Sequence, residues 1–299
     1  MAIAECDRNG FDCLAPGPPP IRLDIPMQFA KLNGVTLHYQ IIGAPAGKPL
    51  IVFSNSLGTD FRIWRDVIVR LVSEFAVVTY DKRGHGLSDA GQYPCSIDDH
   101  VGDLEALLEH LGQSQAIVCG LSVGGLIAQG LYHKRPDLVR AMVLCNTGTR
   151  IGDEALWNER IETAMNEGVG EMAEAILERW FSPAFHKDRT DELTGYQNML
   201  IRQPEIGYAG TCHAIRDADY TSRASDVDVP ALCVAGEHDG ATPPAVLEAL
   251  AKALPDSRYE LIKGCGHLPC IEKPELLSEM IKAFAASLTD PIGETVGSA

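Results

Sequence analysis

The stretch Ile117-Val118-Cys119-Gly120-Leu121-Ser122-Val123-Gly124-Gly125-Leu126 combines residue types and spacing that could do chemistry. Gly120, Ser122 and Gly124 fit G-x-S-x-G, the nucleophile elbow, in which a serine rides a sharp turn between a strand and a helix. A short β-branched run ends at Gly120 and a helical pattern begins just after Ser122, so the context suits the motif. The glycines matter because a side chain at either position would meet the neighbouring strand or helix. Ser122 Oγ is then pushed out at the top of a sheet, with the positive end of a helix behind it. The chemistry is nucleophilic attack. The plainer reading, a glycine-rich turn with an idle serine, is weakened by the strand before and the helix after.

A serine at neutral pH is a poor nucleophile unless a base takes its proton. Of nine histidines, position selects His267, which follows the last strand pattern in a glycine-bounded loop and so lies at the sheet edge of Ser122. His38, His110, His133 and His186 fall in strand or helix patterns or in a helical insertion, and His85 lies in a loop upstream of the elbow. The chain order serine, acid, histidine is met by Ser122, Asp239 and His267. Asp239 sits just past a buried strand; Glu237 and Asp226 are its rivals. The acid would hold His267 in the right tautomer and stabilise the imidazolium. Two backbone N–H groups must meet the developing oxyanion. Val123, next after the nucleophile, supplies one, and Leu57, in the loop after the strand ending at Phe53, supplies the other.

These groups must be positioned by a sheet. Residues 35–41 alternate like a half-exposed antiparallel strand after an Asn33-Gly34 turn. Continuous apolar runs at 50–53, 75–80, 116–119, 141–145 and 231–235 read as buried strands, with a last strand at 259–262. Helical patterns separate them at 61–71, from the Ser96 cap to 111, from the elbow to 135, after Pro244 and from Pro274 to 288. The alternation predicts an α/β fold with a mostly parallel, doubly covered sheet and reactive loops at the carboxyl ends of its strands. Between 147 and 226 no strand pattern appears, and a helix is expected over 171–181. This helical insertion between two core strands makes a lid, and it carries Trp157 and Trp180. The chain thus divides into a Pro-rich tail read as disordered (1–26), a first core part (27–146), the lid (147–226), a second core part (227–288) and a frayed end (289–299).

Composition narrows the function. The net charge of −16 argues against nucleic acid or an anionic membrane as partner. No apolar run reaches the roughly 18–20 residues that span a bilayer, and residues 1–26, without a basic stretch followed by a long apolar core, are not expected to be a secretory signal. Nine scattered cysteines, several in strand runs, fit reduced thiols in a cytoplasmic protein. Cys265-Gly266-His267-Leu268-Pro269-Cys270 lacks the ligand spacing of zinc modules, so neither a metal nor a cofactor is expected. A homo-oligomer is compatible with the sequence.

The constellation resembles the α/β-hydrolase family over nearly the whole chain. Within that family, four stretches resemble the 3-oxoadipate enol-lactonases of aromatic degradation: 32–39 (Leu-Asn-Gly-Val-Thr-Leu-His-Tyr), 54–60 (Ser-Asn-Ser-Leu-Gly-Thr-Asp), 144–152 with Trp157, and 177–185. The resemblance implies the α/β-hydrolase fold and a small-molecule lactone substrate opened by Ser122, His267 and Asp239. It also implies a cation for the substrate's carboxylate arm, with Arg150 ranked before Arg160 and Arg179, and lid walls that include Trp157 and Trp180. A general carboxylesterase, a carbon–carbon bond hydrolase and a non-catalytic small-ligand binder on the same fold are the rival readings. The tail, the cysteines around His267 and Val123 (where similar enzymes often have Met) depart from the pattern.

Overall fold

The computed structural model describes residues 28–43 and 48–288; the expected tails at 1–26 and 289–299, with Cys6 and Cys13, lie outside the described residues. Eight strands, β1 (Gln28–Leu32), β2 (Val35–Gly43), β3 (Leu50–Ser54), β4 (Ala76–Tyr80), β5 (Ala116–Leu121), β6 (Val139–Cys145), β7 (Ala231–Gly236) and β8 (Ser257–Ile262), form one sheet in the order β1-β2-β4-β3-β5-β6-β7-β8. β1 and β2 form an antiparallel hairpin whose Asn33 and Gly34 take the positive φ (46° and 82°) that a tight primed turn requires. β2 also runs antiparallel to β4, and all later pairings are parallel. Every residue of β3, β4, β5 and β7 is buried, the mark of strands covered on both faces.

The helices supply those covers. α1 (Arg65–Leu71) packs with the last helix, and α2 (Ile97–His110) packs with α3 (Val123–Lys134). Ser96 caps α2 in a full capping box with Asp99. The helix expected over 61–71 opens instead as a tighter 3₁₀ turn, Phe61–Trp64, because Asp60 accepts the Arg62 N–H and pulls the chain in early. Between β6 and β7 the chain runs through α4 (Glu154–Asn166), α5 (Ala173–Trp180), α6 (Pro183–Asp188), α7 (Thr190–Ile201) and α8 (Glu205–Asp217). The helix expected over 171–181 is shorter: a 3₁₀ turn, Val169–Met172, precedes α5, and Phe181 is already extended. α9 (Pro244–Ala253), α10 (Pro269–Glu272) and α11 (Pro274–Ser287) complete the chain.

The strand order decides where the chemistry sits. From β3 the chain moves outward to β4, then returns across β3 to β5. The carboxyl ends of β3 and β5 therefore flank a topological switch point, where loops part and leave a crevice. The loop after β3 and Ser122 after β5 meet there. Among the described residues, no helix is long and apolar enough to cross a membrane.

Candidate active site

Ser122 joins β5 to α3 with φ 58° and ψ −118°, a conformation costing a non-glycine residue about 1–3 kcal/mol. Its surroundings hold it there. Its N–H donates to Cys145 O (3.0 Å), and its carbonyl accepts from Thr147 Oγ1 (2.7 Å) and Gly125 N (2.8 Å). The flanking glycines are sterically required. A Cβ on Gly120 would lie 2.2 Å from Gly124 O, and one on Gly124 would lie 2.2 Å from Ser54 O. The turn thus fits only because the helix lies bare against the end of β3.

His267 is buried (1% exposed), and its Nδ1 lies 2.9 Å from Asp239 Oδ2. The other oxygen of Asp239 accepts the N–H groups of Ala241 and Thr242, both at 2.8 Å, so the carboxylate is fixed at both ends. Of the three acids weighed from the sequence, Asp239 is the one at His267. Glu237 instead accepts from Gly264 N (2.8 Å), and Asp226 ends the 3₁₀ turn Thr221–Asp226. Asn146, at the end of β6 with φ 44°, ties the two loops together. Its Nδ2 donates to the carbonyls of Gly266 (3.2 Å) and His267 (2.8 Å), and its Oδ1 accepts from Gly236 N (2.8 Å). The sequence reading missed Asn146; a polar residue directly after a buried strand was the available signal.

The loop after β3 is braced from below. Lys82 Nζ donates to Ser56 O (2.6 Å) and Thr59 O (3.2 Å), and Gly58 N donates to His85 Nε2 (3.0 Å). Burial pushes Lys82 down to about 7, with the carboxylates of Asp81 and Asp60 pulling it back up. Burial, helped by Lys82, also holds His85 well below its ordinary value, which suits its role as an acceptor. Neither brace was anticipated from the sequence, because both residues sit in a loop whose contacts are long-range.

Ser56, Leu57, Ser122 and His267 line one small cavity of about 40 Å³ under the lid. Trp157 and Trp180 wall it, with Tyr208 and Ile176. Val123 is buried behind Ser122 as the first residue of α3, where a helix leaves its N–H groups without internal partners. Arg150, ranked first as the cation, is exposed and does not line this cavity; it lies in the loop that leaves β6, ahead of the lid helices. Arg160 of α4 and Arg179 of α5 do line it. Arg160 stacks over the Trp157 ring at 5.2 Å, and among the described residues neither arginine has a carboxylate partner. In a chain with 41 acidic and 25 basic residues, two cations over one cavity with no carboxylate partner among the described residues are notable.

A roomier cleft of about 340 Å³ lies elsewhere, between the loop after β4 and α7. It contains neither Ser122 nor His267. Its His38–Asp81 pair (2.8 Å) is a brace, since Asp81 also accepts from Phe61 N and Leu87 N, both at 3.0 Å. The seven described cysteines are free and buried, and burial pushes the thiols of Cys265 and Cys270 up. Among the described residues, no cluster of His, Cys, Asp or Glu could hold a metal ion.

Comparison with known proteins agrees with this architecture. The family described as alpha/beta hydrolase fold matches residues 49–274. The 3-oxoadipate enol-lactonase 2 of Acinetobacter baylyi is 32% identical over 249 residues, covering 83% of this chain and 92% of that protein. The 3-oxoadipate enol-lactonase 1 of the same organism is 32% identical over 256 residues, covering 86% and 95%. The crystal structure of the enol-lactonase from Burkholderia xenovorans superposes with a TM-score of 0.84 at 36% identity, covering 87% of this chain and 100% of that one. The chain belongs to the α/β-hydrolase family and, within it, groups with the 3-oxoadipate enol-lactonases.

Proposed function

We propose that the protein hydrolyses an enol-lactone of the 3-oxoadipate type with Ser122 as nucleophile, His267 as base and Asp239 as orienting acid. One observation carries the reading. Ser122 and the Asp239-backed His267 line the same cavity as two arginines that have no carboxylate partner among the described residues, which supports an acyl-transfer centre beside a site for a substrate carboxylate. The names of the similar proteins supply the substrate class.

Ser122 gives its proton to His267 and attacks the lactone carbonyl. The oxyanion rests on the N–H groups of Leu57 and Val123. Ring opening expels an enolate, which is protonated and tautomerises to the ketone. Water, activated by His267, then releases the acyl group from Ser122. The enolate is a stabilised leaving group, so modest acid catalysis suffices. At roughly 10–15 Å³ per water, a cavity of about 40 Å³ holds only a few solvent molecules.

The test is hydrolysis of 3-oxoadipate enol-lactone by the purified protein, followed by loss of the enol-lactone absorbance, beside Ser122→Ala and a plain aryl acetate. Turnover that depends on Ser122 and far exceeds the aryl ester rate is expected. Activity on the aryl ester alone would keep the triad and sink the lactone substrate. Absence of both would leave the binding-protein reading.

A further inference from the structure

Ser56 is buried (1% exposed) and shares the cavity wall with Ser122 and His267. Its carbonyl accepts three donors: Lys82 Nζ at 2.6 Å, Thr59 Oγ1 at 2.8 Å and Thr59 N at 3.3 Å. Its main chain is thus fixed, and a fixed main chain aims the side chain. The Ser56 hydroxyl meets His267 Nε2 at 3.3 Å. That is the one ring nitrogen left for proton traffic, since Nδ1 is committed to Asp239. A hydroxyl has one donor and two acceptor sites. When Nε2 carries a proton it donates to Ser56 Oγ, and the hydroxyl hydrogen is then free to turn into the cavity.

We propose that Ser56 is a second catalytic hydroxyl, which relays the proton from His267 to the departing oxygen; the inference rests on the triad reading above. The proton of Ser122 passes to Nε2 as the bond from Ser122 Oγ to the acyl carbon forms. On collapse of the tetrahedral intermediate, the bond from the acyl carbon to the leaving oxygen breaks, and its electron pair stays on that oxygen. The oxygen takes the hydroxyl proton of Ser56 while Ser56 Oγ takes the proton from Nε2. The imidazole is neutral again and Ser56 is regenerated. No other reactant is consumed.

A relay is distinguished from a positioning role by its dependence on the leaving group. Acetate esters of 4-nitrophenol, phenol and methanol share an acyl group but need protonation to rising degrees. General acid assistance contributes about 10²–10⁴-fold, so Ser56→Ala should lose about 100-fold in kcat/KM on the methyl ester, with the loss shrinking to a few-fold on the 4-nitrophenyl ester. Ser56→Thr, which keeps the hydroxyl, should recover most of the methyl ester rate. Ser56→Gly, a second variant without a hydroxyl, repeats the comparison independently. Equal losses along the series would reduce Ser56 to a residue that merely positions His267 and would overturn the proposal, as would no loss at all. Labelling of the wild type by a fluorophosphonate, abolished in Ser122→Ala, tests the triad separately. Without labelling, the triad reading falls and takes the relay with it; with labelling and a flat series, the relay falls alone.

Discussion

Removing the cavity arginines should separate recognition of the substrate from the chemistry. Arg160 and Arg179 face the cavity from α4 and α5, and neither spends its charge on a carboxylate among the described residues. A charge-assisted hydrogen bond to a carboxylate contributes about 1.5–3 kcal/mol. Both guanidinium groups are only half-buried, so solvent screening favours the lower end, about 1.5 kcal/mol each. At about 1.4 kcal/mol per decade, Arg160→Ala or Arg179→Ala should each cost roughly tenfold in kcat/KM for a lactone with a carboxylate arm. The double variant should fall short of the product of the two, because both cations act on one anion. The carboxylate is remote from the reacting carbonyl, so the loss belongs in KM rather than kcat. Steady-state kinetics on the enol-lactone and on a neutral aryl acetate give the readout, with the exposed Arg150→Ala expected to match wild type on both. If the arginine variants lose equally on the charged and the neutral substrate, they shape the pocket rather than bind a carboxylate, and the reasoning fails.

Three further outcomes follow from the geometry. Asp239→Asn should lower kcat by about 10⁴-fold with little change in folding, because the amide no longer dictates the His267 tautomer; thermal unfolding and turnover measured together check it. Gly124→Ala should destabilise by about 1–3 kcal/mol, since its Cβ would fall 2.2 Å from Ser54 O, and should also cut activity by displacing the loop that begins there; urea unfolding beside kcat reads both. The folded pKa of Lys82, about 7, lies below its ordinary 10.5, so between those values the unfolded chain binds more protons. Stability from this site therefore rises with pH across that window and is lowest below pH 7. The stability difference between wild type and Lys82→Met should accordingly grow from pH 7 to pH 10, and a constant difference in urea unfolding would show that Lys82 is not titrating there.

Much of this site was legible because its signals are local. The buried runs of β3 to β7 need cover on both faces, and an unbroken apolar stretch states that need without reference to any partner. The glycines around Ser122 announce a close approach that each residue's own backbone geometry imposes. The pairing of Asp239 with His267 followed from both lying just past strands, which places them at one edge. The residues that escaped act across the fold. Asn146 bonds to Gly236 and Gly266, 90 and 120 residues away, and Lys82 bonds to carbonyls in another loop. Arg150, expected as the cation, does not line the cavity, because sequence similarity marks a stretch, whereas the direction of a helix face decides which arginine looks inward. α4 and α5 turn Arg160 and Arg179 toward the cavity, and the loop before them leaves Arg150 in solvent.

The end of α5 offers its last carbonyls to the loops that carry Asp239 and His267: Gly240 N donates to Arg179 O (3.1 Å) and His267 N donates to Trp180 O (2.7 Å). These are main-chain bonds, indifferent to the side chains that carry them. The inserted helices can therefore exchange the residues that line the cavity while the seam stays intact. What it cannot do freely is change the length or register of α5, since a single inserted residue there would rotate both carbonyls away and unseat the base along with the lid. The lining of this cavity is open to point substitution and closed to insertion at that helix. A chimera that transplants another lid would have to match the seam before it could inherit a specificity.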